Sequence, residues 1–335
     1  MPLFGRDLGI DLGTINTLIC EGSDVVLHEP TVVAIDVDEL KIVEVGQAAR
    51  EMDGRVPDTI QVMRPLRHGV IADFEVTQRM LGHFIEKACG PARLFKPRVM
   101  ITVPYGATSV ESRAVHEAAL QAGSREVFLI QQPLAAAIGV GLPVATPSGN
   151  MVVHLGGGVT QAAVLAMSGI VSADAVRLAG NDLDEAIATY VRKKYGLIIG
   201  LRTAAEAKIR IGAAIPQDED RSMEVQGQDQ VTSLPRPVVL TTSELVEAVQ
   251  ETLHLMLGAV RNVLEHTPPE LASDIIDKGM VVSGGTALLR GMDRWLTRET
   301  GIPAYLAEEP VACVAKGAAK GLTMLERLRR ALPPV

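Results

Sequence analysis

The chain has 335 residues, of which 47% are hydrophobic and only 3% aromatic, and its formal net charge is −8. This length exceeds that of a usual single domain, so two domains are expected. The acidic balance argues against a surface that coats nucleic acid, because binding to phosphate backbones requires clustered Lys and Arg. With so few aromatic residues, the cores must be built from aliphatic side chains and Met, which favours layered α/β packing.

No signal peptide or membrane-spanning helix is expected from the sequence. Its first residues lack the charged and apolar regions of a signal peptide, and no apolar run reaches the about 18 residues that a membrane-spanning helix needs. The cysteines Cys20, Cys89 and Cys313 form no CxxC pair and have no histidine at metal-binding spacing. They predict buried thiols in a reducing cytoplasm.

The first half of the chain is predicted to form strands first and helices after. Residues 75–89 place Val76, Met80, Phe84 and Ala88 on one helical face. The other elements predicted here are strands at 25–28, 31–35, 42–45, 98–103 and 128–130, a helix at 108–122 with Thr108 or Ser109 as N-cap, and an Ala-rich helix at 133–139.

The second half repeats this order after a stretch rich in Pro, Gly and Ser at 141–149, which is the predicted domain boundary. A polar interval is expected at 216–227. The predicted strands are 151–155, 160–167, 170–178, 238–240 and 279–283, and the predicted helices are 181–195, 203–211, 243–265, a short segment from Pro268, and a terminal helix at 311–332.

Two predicted strands end in glycine-containing turns that are followed by Thr and a further β run. Residues 7–14 read DLGIDLGT and residues 152–160 read VVHLGGGVT. Glycine lets the backbone approach a ligand closely, and the N–H groups of such turns can face an anion. A third glycine turn, SGGT, occupies 283–286. The turn in 7–14 or the turn in 152–160, taken alone, is compatible with an ordinary β-hairpin. As a pair, with the third turn beside them, they predict a duplicated fold that binds phosphates from both sides.

Asp11 is the candidate metal ligand, because it stands directly before the first glycine turn. A carboxylate there can hold the water shell of Mg²⁺, which proteins usually bind through one or two carboxylates and substrate phosphates. The alternative is that Asp11 only fixes the turn. Neither GxxxxGK[ST] nor GxGxxG occurs, so a nucleotide must be bound by another scheme.

These features resemble the superfamily of actin, sugar kinases and heat-shock-chaperone ATPases, and within it the MreB family of bacterial cell-shape actins. Residues 10–19, IDLGTINTLI, resemble the first phosphate motif of the superfamily. Segments similar to ones specific to MreB proteins are 29–35, 64–74, 125–130, 268–275 and 299–303. The resemblance spans nearly the whole chain.

The resemblance implies an α/β fold of duplicated, actin-like (ribonuclease H-like) type, with two lobes around a nucleotide cleft. Lobe I is expected to comprise 1–145 and 311–335, with a small subdomain at 31–72. Lobe II is expected to comprise 146–310, with a small subdomain at 181–242.

By the same resemblance, ATP or ADP with Mg²⁺ is expected in the cleft, with its phosphates between the two glycine turns. The adenosine would lie between a helix and the third glycine turn. Lys208 is also compatible with a solvated helix charge, and Gly284 and Gly285 with a strand-end turn. The residues expected to bind nucleotide are Gly13, Thr14, Ile15, Asn16, Gly156, Gly157, Gly158, Gly180, Ala205, Glu206, Lys208, Gly284, Gly285, Thr286 and Ala287.

Three positions depart from the family pattern. His154 stands where Asp is usual, Ala205 stands where Glu is usual, and the usual Glu-Glu-Pro reads Gln131-Gln132-Pro133. The resemblance gives Gln132 the role of positioning the attacking water. Glutamine cannot act as a base, and losing a base typically costs about 10²–10⁴-fold in rate, although actin has glutamine at the equivalent place. A neutral His also offers Mg²⁺-bound water fewer acceptors than a carboxylate. We therefore predict nucleotide binding with weak hydrolysis, and an ordinary ATPase is the alternative.

Leu94 and Phe95 lie between the basic residues Arg93 and Lys96. In MreB proteins a loop here resembles a membrane-insertion tip; the alternative is that both side chains pack against their own domain. The resemblance thus implies a protein that polymerises with itself at the cytoplasmic, inner face of the plasma membrane and organises the cell-wall elongation machinery. A small-molecule kinase would require a sugar-binding insertion and a catalytic Asp, and neither is evident. A nucleotide-independent structural paralogue also remains open.

Overall fold

The computed structural model of the chain describes residues 5–39, 41–90 and 96–334. Its strands are β1 (Asp7–Leu12), β2 (Asn16–Glu21), β3 (Asp24–Pro30), β4 (Val33–Asp36), β5 (Lys41–Val45), β6 (Ile60–Met63), β7 (Leu66–Arg67), β8 (Val70–Ile71), β9 (Arg98–Val103), β10 (Glu126–Gln131), β11 (Asn150–Leu155), β12 (Thr160–Ala166), β13 (Gly169–Val176), β14 (Leu197–Ile198), β15 (Ser222–Asp229), β16 (Pro235–Thr241), β17 (Met280–Ser283) and β18 (Ala304–Leu306).

The helices in the described ranges are α1 (Gln47–Met52), α2 (Phe74–Cys89), α3 (Ser109–Gln121), α4 (Gln132–Gly139), α5 (Gly180–Tyr195), α6 (Leu201–Ile211), α7 (Thr242–Glu265), α8 (Pro269–Lys278), α9 (Met292–Thr300), α10 (Cys313–Thr323) and α11 (Leu325–Leu328), with a 3₁₀ turn at Gly285–Leu288. Within those ranges, no helix is both long enough and apolar enough to span a bilayer.

Two five-stranded sheets have the same topology. Their strand orders are β3-β2-β1-β9-β10 and β13-β12-β11-β17-β18. In each sheet, an antiparallel meander of three strands is followed by two strands that run parallel to the first. The duplication predicted from the glycine turns is therefore present in the sheets, and each turn joins the first two strands of its meander.

The amphipathic patterns place the helices as expected. All four residues predicted on the buried face of α2 are buried, and the Asp73 side chain caps this helix by accepting the Val76 N–H at 3.0 Å. Thr108, not Ser109, is the N-cap of α3, in a capping box with Glu111. The apolar strands β11 and β12 are buried along their whole length, as expected for strands covered on both faces.

Helices α4 and α10 pack between the two sheets and bring them together. Their crossing depends on glycine: a Cβ on Gly139 would lie 1.8 Å from the Cys313 carbonyl oxygen, and one on Gly317 would lie 1.7 Å from that of Ala135. One apolar cluster joins these helices to Met100 and Ile130 of the first sheet and to other buried residues of the second. The two sheets are thereby joined through α4 and α10.

Two predicted elements were wrong. The polar interval 216–227 contains most of β15, in which only Val225 is fully buried, so the strand carries almost no apolar signal. The terminal helix does not run unbroken to residue 332, because it ends at Thr323, where the Met324 N–H bonds the Gly321 carbonyl, and resumes as the short α11. Glycines in this helix lower its intrinsic stability. The lobe boundaries remain predictions.

Candidate functional site

The two predicted glycine turns face each other across the gap between the sheets. A Cβ on Gly157 would lie 2.1 Å from Cγ1 of Ile15, and one on Gly158 would lie 2.8 Å from Oγ1 of Thr14. Such distances exclude any larger residue unless a neighbour moves. The structure therefore brings together the residues that the sequence assigns to the two sides of a phosphate site.

The turns present N–H groups that the rest of the fold does not use. The Gly156 N–H closes its own hairpin by donating to the Val159 carbonyl at 3.0 Å. Within the described part of the chain, the N–H groups of residues 13–15 and 157–158 donate to no protein acceptor. Successive free N–H groups in a turn form an anion-binding concavity, so the geometry suits a phosphate held from both sides.

Hydroxyl groups fix the first turn in place. Thr31 donates to the Gly13 carbonyl at 2.8 Å, and the Thr14 hydroxyl accepts the Gly69 N–H at 2.9 Å. The second contact comes from the β7–β8 hairpin, so three turns meet here. A turn held in this way needs little reordering to bind a ligand.

The second turn is held by the third glycine turn and by the start of α5. Thr286 donates its hydroxyl to the Gly156 carbonyl at 2.7 Å, and the Gly180 N–H donates to the same oxygen at 3.2 Å. Gly284 has φ of +92°, and a Cβ there would lie 2.2 Å from the Leu155 carbonyl oxygen. Gly284 is thus a strand-end turn after β17 that only glycine accommodates, and its predicted contact with the nucleoside remains a prediction.

Lys208 is half-buried and paired with a carboxylate, so the alternative of a solvated helix charge is wrong. Its ammonium lies 2.7 Å from an Asp184 carboxylate oxygen and donates to the Gly180 carbonyl at 2.6 Å. The two side chains are only 15% and 11% exposed. This pair ties α6 to the start of α5, beside the second glycine turn.

The other residues assigned to adenosine differ in their surroundings. Glu206 is exposed and pairs with Arg210 on its own helix at 2.5 Å, and Ala205 is half-buried. A Cβ on Gly285 would meet open space. The Ala287 side chain lies in the apolar core, so only its backbone can reach a ligand. Their roles in binding nucleotide stay predictions.

Asp11 is the centre of a buried hydrogen-bond chain. Its Oδ1 accepts from the Thr102 hydroxyl at 2.8 Å and from the Gln132 amide at 3.2 Å. The Gln132 amide oxygen accepts from Gln161 at 2.6 Å, and Gln161 in turn accepts the Tyr105 N–H at 2.6 Å. Because its partners lie on β9 and α4, Asp11 does not merely fix its own turn.

Thr102 and Gln161 were missed by sequence reasoning. Both are almost fully buried polar residues within apolar strands. A polar residue inside such a run is a usable signal, because buried polar groups are nearly always hydrogen-bonded. The sequence does not reveal which partner each one meets.

Burial shifts the pKa of two residues beside the glycine turns, Asp11 and His154. Burial raises the pKa of Asp11 to about 6, against the smaller opposing effect of its hydrogen bonds from Thr102 and Gln132. Burial lowers the pKa of His154 to about 4, so its imidazole is neutral at physiological pH. His154 Nδ1 lies 3.1 Å from the Ser283 hydroxyl, and Nε2 faces the Gly156 turn.

The donor set fits a weakly held Mg²⁺. Both hydrogen bonds to Asp11 use Oδ1, which leaves Oδ2 without a partner among the described residues. Among the described residues, no group of three or more His, Cys, Asp or Glu side chains is arranged to hold a metal ion. Such a site fits an ion bound through water to one carboxylate and through the phosphates of a nucleotide.

A protein-family model described as "MreB/Mbl protein" matches residues 5–330 of the chain. The chain belongs to the MreB/Mbl family. It is 50% identical over 330 residues to the cell shape-determining protein MreB of Escherichia coli strain K12, covering 97% of this chain and 95% of that protein. It is 44% identical over 327 residues to the cell shape-determining protein Mbl of Bacillus subtilis strain 168, covering 97% of this chain and 98% of that protein.

Solved structures show that the fold is actin-like with two lobes, as predicted. The crystal structure of MreB5 of Spiroplasma citri bound to ADP superposes with a TM-score of 0.92 at 30% identity, covering 98% of this chain and 99% of that one. A MamK double helical filament superposes with a TM-score of 0.80 at 22% identity, covering 94% of this chain and 98% of the MamK chain. At that identity the MamK likeness concerns the fold alone.

In this member of the MreB/Mbl family, replacing Asp11 by Asn should raise the free energy of unfolding at about pH 8 by up to about 3 kcal/mol, without nucleotide or divalent cations. The pKa of Asp11 is raised from 3.8 to about 6 in the fold. The unfolded chain therefore releases this proton at lower pH than the folded chain, and the ionised carboxylate destabilises the fold above about pH 6. Below about pH 4 both states are protonated and the penalty disappears.

Denaturant unfolding at about pH 4 and pH 8 measures whether Asp11→Asn raises the free energy of unfolding only at the higher pH. The exposed Asp58→Asn variant is the matched control, with little change expected at either pH. An equal gain for Asp11→Asn at both pH values would contradict a charge-based explanation.

Proposed function

We propose that this protein is an actin-like cytoskeletal protein that binds ATP and ADP between its two glycine turns, polymerises with itself into filaments and helps to determine cell shape. The observation that carries the proposal is the facing pair of turns, with five N–H groups at residues 13–15 and 157–158 that the described fold leaves unused.

The relatives support the same function. The E. coli and B. subtilis proteins carry the name cell shape-determining protein, at 50% and 44% identity. Spiroplasma citri MreB5 was crystallised with ADP and with AMPPNP, at 30% identity to this chain. The match in fold and the free N–H groups support nucleotide binding in the equivalent cleft of this chain.

We further propose that hydrolysis is weak. Gln132 donates its amide to Asp11 and accepts from Gln161, so both ends of its side chain are already bonded. Its second N–H and the second lone pair of its oxygen can still orient a water, but an amide cannot take up the proton of that water. His154 is neutral and adds no negative charge near Asp11. Mg²⁺ is therefore held less firmly, and no ionised base stands at position 132. An ordinary ATPase would require another group to supply these roles.

Purified protein pelleted with and without ATP, with phosphate release measured on the same samples, tests the proposal. We expect ATP to promote filaments that sediment and are visible by electron microscopy, with slow phosphate release. Absence of filaments under every nucleotide and lipid condition would exclude the filament function. Filaments that ignore nucleotide would favour a nucleotide-independent structural paralogue.

Membrane attachment is proposed from the sequence, because Leu94 and Phe95 lie outside the described residues. Burying these side chains in a bilayer stabilises binding by about 1.5–3 kcal/mol each, and a nearby basic residue adds about 1 kcal/mol on an anionic leaflet. One subunit would bind marginally, and a filament that presents many loops would bind firmly. We therefore propose that the filaments lie at the inner face of the plasma membrane, beside the cell-wall elongation machinery.

Replacing Leu94 and Phe95 together by Ser should release filaments from anionic liposomes without preventing polymerisation. The expected loss, about 3 kcal/mol or more per subunit, is amplified along the filament. Liposome flotation measures attachment, and pelleting without lipid measures polymerisation. The exposed pair Val231 and Leu234, both replaced by Ser, is the matched control. Undiminished flotation of the Leu94 and Phe95 variant would contradict the loop assignment.

A further inference from the structure

A cleft of about 1210 Å³ opens on the surface, and its lining includes Tyr105 and Gln131. It lies between residues 167–173 at the start of β13, the end of α7 and the C-terminal segment 326–331. Neither glycine turn lines it. The function proposed above makes no use of this cleft.

One wall of the cleft carries an unbalanced positive charge. Arg327, Arg329 and Arg330 line it and are exposed. Among the described residues, none of these guanidinium groups forms an ion pair or a side-chain hydrogen bond, and Glu326 is the only carboxylate in the lining. In a chain of net charge −8, three neighbouring free arginines attract an anionic partner locally.

Residues 167–173 contribute accessible apolar side chains to the lining. Met167 is 69% exposed and Val171 is 45% exposed. Met is flexible and polarisable, so it adapts to differently shaped apolar partners. Side chains of this kind facing water at the mouth of a concave surface are typical of a binding site.

The turn that presents Met167 is strained. Met167 and Ser168, between the paired residues Ala166 and Gly169, have φ values of 52° and 64°. Such a turn strongly favours Asn-Gly, because side chains disfavour the left-handed conformation. The turn is held by bonds from the Met167 N–H to the Thr146 carbonyl at 2.9 Å and from the Ser168 N–H to the Val144 carbonyl at 2.7 Å. Strain kept in this way is common at ligand-binding sites.

We propose that this cleft binds an acidic segment of a partner protein, with carboxylates against the three arginines and an apolar side chain against Met167 and Val171. The concave shape fits a peptide and not the flat surface of a bilayer. The exposed apolar side chains distinguish the site from a surface that binds phosphate groups alone. The proposal goes beyond the filament function and does not depend on nucleotide.

The full-length protein is titrated against a fluorescein-labelled peptide in which Glu and Leu alternate, with fluorescence anisotropy as the readout. Saturable binding that weakens with added salt is expected, because exposed charges are screened. Replacing Arg327, Arg329 and Arg330 together by Glu should weaken binding about tenfold or more, since three attractions become repulsions. Replacing the exposed Arg55, Arg125 and Arg192 by Glu makes the same charge change elsewhere and should alter binding far less.

A second variant separates binding from folding. Met167→Asn with Ser168→Gly relieves the strained turn and removes the apolar contact, so the melting temperature should rise while affinity for the peptide falls. A rise in melting temperature with unchanged affinity would overturn the role of Met167. Peptide binding unaffected by the three Arg→Glu changes would overturn the proposal. So would arginine-dependent binding to phosphatidylglycerol vesicles without peptide binding, which would assign the cleft to a membrane.

Discussion

Replacing Gln132 by Glu and His154 by Asp in one chain should raise the rate of phosphate release from ATP by about 10²-fold or more. Position 132 would then carry a base able to accept a proton from the attacking water. Position 154 would carry a carboxylate able to accept hydrogen bonds from Mg²⁺-bound water, which a neutral imidazole supplies less well. Both positions already face the candidate phosphate site, so the backbone need not change.

The two changes are expected to act together. The Gln132 amide nitrogen lies 3.2 Å from Asp11 Oδ1, so Glu at this position sets two carboxylates side by side. Without a cation one of them takes up a proton, because close like charges raise a pKa. Burial already raises the pKa of Asp11 to about 6. The chain with Gln132→Glu alone should therefore show a smaller increase in the rate of phosphate release. Its rate should also depend more steeply on the Mg²⁺ concentration than that of the double variant.

Phosphate release under saturating ATP and Mg²⁺ measures this effect. A chain with His28→Asp and Gln61→Glu, which makes the same substitutions at exposed positions, is the control and should behave like the unmodified protein. An unchanged rate in the Gln132→Glu, His154→Asp chain would show that these two departures from the family pattern do not limit turnover.

Lys208→Ala should lower the free energy of unfolding by about 3–5 kcal/mol, the usual cost of leaving one member of a buried ion pair alone. The Lys208 ammonium lies 2.7 Å from Asp184, and the two side chains are only 15% and 11% exposed. Burial already raises the pKa of Asp184 despite its partner. Removal of the lysine also deletes the bond to the Gly180 carbonyl, beside the second glycine turn.

Equilibrium denaturation with two further variants isolates the cause. Adding Asp184→Asn to Lys208→Ala should recover part of the loss, because the unpaired charge is gone. Lys193→Ala on the exposed face of α5 should change stability by no more than about 0.5 kcal/mol. If Lys208→Ala costs no more than Lys193→Ala, the pair is not a structural link between α5 and α6.

The sequence was sufficient to predict the repeated architecture. Glycine at residues 13 and 156–158, each set after an apolar strand, has few physical explanations other than close approach of the backbone to something else. For Gly157 and Gly158 this neighbour is the other turn, whereas Gly13 and Gly156 lie closest to the backbone of their own hairpins. The periodic apolar face of α2 was equally clear, because four residues at helical spacing need a core to cover them.

Contacts between distant segments could not be predicted. The chain from Asp11 through Gln132 to Gln161 joins β1, α4 and β12, and no local pattern encodes which buried polar residues meet. For Lys208, the alternative of a solvated helix charge stayed open until the fold placed Asp184 beside it. Most of β15 was missed because a strand with one fully buried residue carries little hydrophobic periodicity.

Calorimetric titration of the purified chain with ATP tests the central claim most directly, comparing Gly158→Ala with Gly258→Ala. A Cβ at Gly158 would lie 2.8 Å from the Thr14 hydroxyl and 3.0 Å from Cα of His68, while one at Gly258 would meet open space. We expect saturable, one-to-one binding that Gly158→Ala weakens strongly and Gly258→Ala leaves unchanged. Absence of binding to the unmodified chain, or equal binding to both variants, would contradict a nucleotide site between the two glycine turns.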